Sequence, residues 1–116
     1  MDYSTVAVPV LQQTVPPGGV AVCPLSTAQY KCTGENELSW RELDTPDSVT
    51  YELANAVNQT AMTGAFTTVL TDISGTTLTS TATIDSVSLT DDGRSITCRD
   101  ISGALSQQVY TIQVSG

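Results

Sequence analysis

Residues 28–40 read Ala-Gln-Tyr-Lys-Cys-Thr-Gly-Glu-Asn-Glu-Leu-Ser-Trp. Ala28, Tyr30 and Cys32 alternate with polar residues, and so do Leu38 and Trp40. Successive side chains of a strand point to opposite faces, so a period of two predicts two half-buried strands. Between them Thr33-Gly34-Glu35-Asn36 carries the residue types that reverse a chain, which predicts a tight turn.

The same period extends in both directions. Upstream, Val6, Val8 and Val10 alternate, with Pro9 among them. Proline has no N–H to give to a ladder, so residues 4–12 are expected to form an edge strand. Pro16-Pro17-Gly18-Gly19 predicts a turn, and Val20-Ala21-Val22 a short strand ending at Cys23-Pro24. Downstream, Asp44 to Ser48, with Pro46, predicts a turn, and Val49, Tyr51 and Leu53 begin a further strand. Residues 52–62 are the best helical stretch, without a clear cap. Residues 64–71 predict a strand, Asp72-Ile73-Ser74-Gly75 a turn, and Leu78, Ser80, Ala82 and Ile84 one face of a strand over 76–84. Val87 and Leu89 are expected in the core, and Asp91-Asp92-Gly93 in a turn. Ile96 and Cys98 alternate inward, Asp100-Ile101-Ser102-Gly103 suggests a hairpin tip, and Tyr110, Ile112 and Val114 share a face. Roughly eight or nine short strands, with turn signals about every eight to twelve residues, predict an all-β sandwich or small barrel.

Composition agrees. The 116 residues include 19 Thr, 12 Ser and 12 Val, and Lys31 is the one lysine. β-Branched side chains lose χ1 freedom in a helix and pack well on a pleated sheet. The length suits one domain, 1–116. There is no histidine, which removes Ser-His-Asp and Cys-His catalysis and HExxH zinc chemistry. With no glycine-rich phosphate loop and no nucleophile elbow either, an enzyme is not expected, nor is a cofactor. Four basic residues against 12 acidic ones, net −8, supply no basic track for nucleic acid or for direct contact with an anionic membrane.

The order Cys32, Trp40, Cys98 resembles the immunoglobulin superfamily. In that family one Cys on strand B bonds another on strand F across the two sheets, and a Trp on strand C packs on the bridge. The resemblance covers nearly the whole chain. It implies a two-sheet antiparallel Ig-like sandwich with one inter-sheet disulfide. Asp92 and Gly93 match the family's E–F turn loosely, whereas Ile96 stands where a Tyr is usual. The Cys32–Trp40 spacing is short and demands a very tight B–C turn. Ser106 to Val114 lacks the Phe/Trp-Gly-x-Gly bulge of antibody variable domains. The chain looks more like an Ig-like domain of a cell-surface receptor or adhesion protein. Val22-Cys23-Pro24, Tyr30-x-Cys32-Thr33 and Leu38-x-Trp40-Arg41 are similar in style to invertebrate cell-surface repeats.

The resemblance implies a Cys32–Cys98 bridge, with Cys23–Cys98 as the rival pairing. Cys23 is then a free thiol or the site of an interchain bond. Three Cys without His offer no zinc spacing, and no metal is expected. Asp91, Asp92 and Asp100 offer oxygens of the kind Ca²⁺ takes, but without an Asp-x-Asp-x-Asp-Gly loop they read as solvated turns. A disulfide implies an oxidising, extracellular compartment. No basic n-region or apolar h-region opens the chain. It reads as part of a larger, membrane-anchored ectodomain, with Met1 an addition. Asn58-Gln59-Thr60 is an N-glycosylation sequon.

In the Ig family the B–C and F–G loops cluster at one end. Here they correspond to Thr33–Glu37 and Arg99–Leu105. Glu35, Asn36, Glu37, Arg99, Ile101 and Leu105 are therefore the candidate binding residues. The expected function is protein–protein recognition: receptor ligand binding or adhesion, with a protein ligand or a sister molecule in a homodimer. The alternative is a structural spacer of a receptor ectodomain with no ligand of its own.

Overall fold

The structure, a computed structural model, describes residues 9–100 and 107–115. The described strands are β1 (Val10–Val15), β2 (Ala28–Glu35), β3 (Glu37–Glu42), β4 (Ser48–Glu52), β5 (Thr60–Thr63), β6 (Phe66–Ser74), β7 (Thr77–Ile84), β8 (Ser95–Asp100) and β9 (Gln107–Thr111). They form a five-stranded sheet, β1-β2-β7-β6-β5, and a four-stranded sheet, β4-β3-β8-β9, with antiparallel pairing throughout. The all-β sandwich expected from the sequence is what forms.

Alternation does the building. β2 and β7 pair in unbroken register from Ala28↔Ile84 to Glu35↔Thr77, and their inward residues Ala28, Tyr30, Cys32, Leu78, Ser80 and Ala82 are fully buried. The outward row of β7 is Thr77, Thr79, Thr81 and Thr83, half-buried between neighbouring strands. This row accounts for part of the threonine excess: a β-branched side chain with a hydroxyl suits a pleated surface facing water. From the other sheet come Leu38, Trp40, Ile96 and Cys98. The Cys32–Cys98 disulfide joins β2 to β8, and therefore one sheet to the other, at a Cα–Cα distance of 6.5 Å. It spans 66 positions of sequence; disulfides typically contribute about 2–4 kcal/mol, more for longer loops.

Polar bonds also cross the core. Trp40, opposite Cys98 in the β3–β8 register, donates its indole N–H to Ser80 Oγ on β7 at 2.8 Å. Ser80 in turn donates to the Val69 carbonyl at 2.6 Å. The Tyr51 hydroxyl on β4 lies 2.8 Å from Thr68 Oγ1 on β6. The Trp40–Ser80 and Tyr51–Thr68 bonds pin one sheet to the other at a fixed register, and Ser80–Val69 ties β7 to β6 within the five-stranded sheet, because a buried polar atom left without a partner is costly.

Several boundaries differ from the sequence expectation. The first described strand is 10–15, not 4–12, and it does lie at a sheet edge; Val6 and Val8 fall outside the described residues. Val20-Ala21-Val22 forms no strand, only a parallel bridge from Val22 to Val114. β2 continues through Thr33 and Gly34, because Thr77–Thr79 of β7 pair with it there. The reversal is compressed to Asn36, with φ 68°, and passes from one sheet to the other. Residues 53–59 are turns and bends, not helix, and Leu53 is exposed, since β4 ends at Glu52. β6 begins at Phe66 rather than at residue 64, and runs through Asp72 to Ser74, paired with β7. The turn therefore falls at Gly75, with φ 62°. Val87 is buried, but Leu89 sits in a short 3-10 turn facing solvent.

Candidate functional site

Two places on the sandwich gather the residues that the sequence marks: the Asn36 corner with the outer face of the four-stranded sheet, and the end where Cys23 lies.

At the corner the candidate loop is bound to the body. The Asn36 N–H donates to the Thr76 carbonyl at 2.7 Å, and the Glu35 N–H to Asp100 Oδ2 at 2.9 Å. The Glu35 carboxylate accepts the Thr77 and Thr76 hydroxyls, which hold its pKa below the usual carboxylate value. The Glu35 carboxylate is thus committed to the neighbouring β6–β7 turn. Glu37 keeps its charge outward and lies directly opposite Glu52 on β4. Like charges in that position repel. Ile101 and Leu105 lie outside the described residues.

Outward residues of the four-stranded sheet form cross-strand rows. One is Ser48, Arg41, Thr97 and Val109; the next is Thr50, Ser39, Arg99 and Gln107. Arg41 and Arg99 are exposed, and among the described residues neither makes an ion pair. Arg41 gives one N–H to the Thr45 carbonyl at 3.1 Å. The two guanidiniums flank a groove of about 270 Å³ walled by Ser39, Thr50, Thr97 and Gln107. The hydroxyls of Ser39 and Thr50 meet at 3.0 Å, and Thr97 donates to the Arg41 carbonyl at 2.8 Å. The row beyond Arg99 carries Glu37 and Glu52, so charge reverses along the face. Sequence reading singled out Arg99, but as a loop residue, whereas it is paired within β8 between Ser39 and Gln107; it missed Arg41. The signal was present: Arg41 has the outward parity of β3 in a chain with four basic residues.

The third arginine is occupied. Arg94 Nη1 lies 2.6 Å from Glu42 Oε2, and Arg94 Nε lies 2.8 Å from Asp91 Oδ1. Glu42 is 4% exposed, and its other oxygen accepts the Ala65 N–H at 2.8 Å. Asp91 accepts the Ser88 N–H at 2.8 Å. That bond, then Arg94, holds the Asp91 pKa below its ordinary value. This network joins three turns and was also missed. Its cue is Glu42 at the inward parity of Leu38 and Trp40, where a carboxylate needs a partner. Strand β8 separates the suggested calcium set. Asp91 and Asp92 lie before the start of β8, and Asp100 at its far end.

Cys32 and Cys98 are bonded, and Cys23 is free and exposed. The rival Cys23–Cys98 pairing is thereby excluded. Asn58 is exposed in the turn before β5, with φ 77°, its N–H held by the Leu70 carbonyl at 2.7 Å. Its side chain is accessible. Cys23 borders an apolar hollow of about 570 Å³ together with Val15, Pro16, Val20 and Ala21. Compared with protein-family models and with curated proteins, the sequence matches none.

Proposed function

We propose that this chain is an immunoglobulin-like extracellular module that recognises a protein partner through the outer face of the four-stranded sheet. The family reading is supported by topology. β1-β2-β7-β6 and β3-β8-β9 run in the order of the Ig A-B-E-D and C-F-G sheets, with β4 and β5 inserted between the third and sixth strands. Cys32, Trp40 and Cys98 then stand on B, C and F.

The observation that carries the recognition reading is the pair Arg41 and Arg99. Two of the four basic residues of an acidic chain stand on one hydroxyl-lined face and, among the described residues, pair with no carboxylate. Guanidinium is weakly hydrated for an ion and matches carboxylate geometry, so this face suits an acidic patch on a partner.

The test is staining of cells from the source tissue with fluorescent tetramers of the domain. Wild-type tetramers are expected to bind, to lose binding when the cells are treated with protease, and to weaken as salt is raised. Arg41→Glu with Arg99→Glu should reduce binding at least about tenfold, the loss of one to two charge-assisted contacts. Thr81→Glu, on the other sheet, should leave it unchanged. Absence of staining, or equal staining by all variants, would favour a spacer.

A further inference from the structure

We propose that the apolar end around Cys23 is a self-association surface, with a second copy of this chain as its occupant. The hollow there is walled by Val15, Pro16, Val20 and Ala21 and is open to solvent. Val20 is 56% exposed. Leu25, which lies in the chain between the lining residues Cys23 and Ser26, projects with 83% of its surface exposed. Leu25 also sits at φ 70°, a left-handed conformation that a Leu adopts only at a cost. Its backbone is held there: its N–H donates to the Val87 carbonyl at 2.7 Å, and the Ser26 N–H closes the turn on the Cys23 carbonyl at 3.2 Å. A strained, anchored turn that presents a large apolar side chain to water is a pre-organised knob.

Each copy therefore carries one knob and one hollow at the same end. A two-fold axis satisfies both at once, Leu25 of each copy entering the hollow of the other. Charge argues for a second copy. At net −8, two copies repel each other over most of their surface. From Tyr3 to Tyr30, however, no residue is charged, and this stretch supplies the knob and every wall of the hollow. Asp85, whose carbonyl accepts the Thr27 hydroxyl at 3.0 Å, adjoins one side and limits how far the contact spreads. Cys23, on the rim, would then face its counterpart. With a small-molecule disulfide as oxidant, one Cys23 thiolate forms a mixed disulfide and releases one small thiol. The second Cys23 attacks that mixed disulfide, closes the interchain bond and releases the other thiol. The inference stands apart from the recognition reading, since it uses none of the residues of that face.

The test is sedimentation velocity over a range of concentrations, in reducing buffer and in glutathione buffer. In reducing buffer the wild type and Cys23→Ser should both show a reversible monomer–dimer equilibrium. Val20→Glu and Leu25→Gly should weaken it at least about tenfold. Leu25→Gly relieves the backbone, so its thermal midpoint should hold or rise while the dimer is lost, which separates association from folding. Leu89→Glu, exposed elsewhere, should change nothing. With oxidised glutathione the wild type should cross-link through Cys23 at least about tenfold faster than Leu25→Gly, as pre-association raises the effective thiol concentration. A wild type that stays monomeric at all concentrations overturns the proposal. So does a dimer indifferent to both Val20→Glu and Leu25→Gly.

Discussion

Tyr30 shows how a single residue can fit by shape and not by chemistry. Its ring is fully buried, 5.0 Å from that of Tyr110 and 6.2 Å, edge-on, from that of Phe66. Its hydroxyl has no hydrogen-bond partner among the described residues. Burial, and then the neighbouring Tyr110, push its pKa up to about 12. An unsatisfied buried hydroxyl costs about 1–3 kcal/mol. Tyr30→Phe keeps the ring contacts and removes the cost, so the variant should unfold at an equal or higher urea midpoint. A clear fall would show that the hydroxyl has a stabilising partner. Trp40 is the opposite case, since its indole N–H is satisfied by Ser80.

At the scale of elements, turns are set by what lies beneath them. The β5–β6 hairpin closes at Gly64, with φ 56°, directly over Glu42. A methyl group at Gly64 would run into the Glu42 carboxyl and come within 2.9 Å of Glu42 Cβ. Glu42 could give way only by disturbing its bonds to Ala65 and Arg94. Gly64→Ala should therefore cost about 2–3 kcal/mol, combining left-handed strain with a weakened buried hydrogen bond. Chemical denaturation would measure it. A loss no greater than that of Gly75→Ala, at an open turn with φ 62°, would show that the Glu42 contact is unimportant.

For the whole molecule, acid is the informative variable. Asp91 is held ionised chiefly by the Ser88 N–H and then by Arg94, and Glu35 by Thr77 and then Thr76. Both carboxyls bind protons less readily folded than unfolded. Their contribution is therefore complete above the ordinary carboxylate values of 3.8 and 4.5 and is lost as pH falls through the lower folded-state values. Unfolding midpoints should be flat from pH 7 to about 5 and fall steeply below about 4. Asp91→Asn should be less stable at neutral pH and have a shallower acid limb. An unchanged limb would mean that other carboxylates govern acid unfolding.

Strand type and most core positions were legible because period-two alternation is a local property: Tyr30, Cys32, Leu38, Trp40, Ile96 and Cys98 carry their facing in the sequence. Strand ends were not. Whether Thr33-Gly34 turns or extends depends on Thr77–Thr79 arriving beside it, a partner more than forty residues away. The candidate site divides in the same way. Arg99 was visible as an unusual charge, but its grouping with Arg41, and the capture of Glu35 by the β6–β7 turn, depend on pairing between distant strands. The odd cysteine could be counted from the sequence. That it stands beside an uncharged hollow and an exposed Leu25 was decided by tertiary structure, which alone brings residues 15, 20 and 23 to one end of the sandwich. Local periodicity selects which face of a strand is wet, and packing between elements selects which wet residues become neighbours.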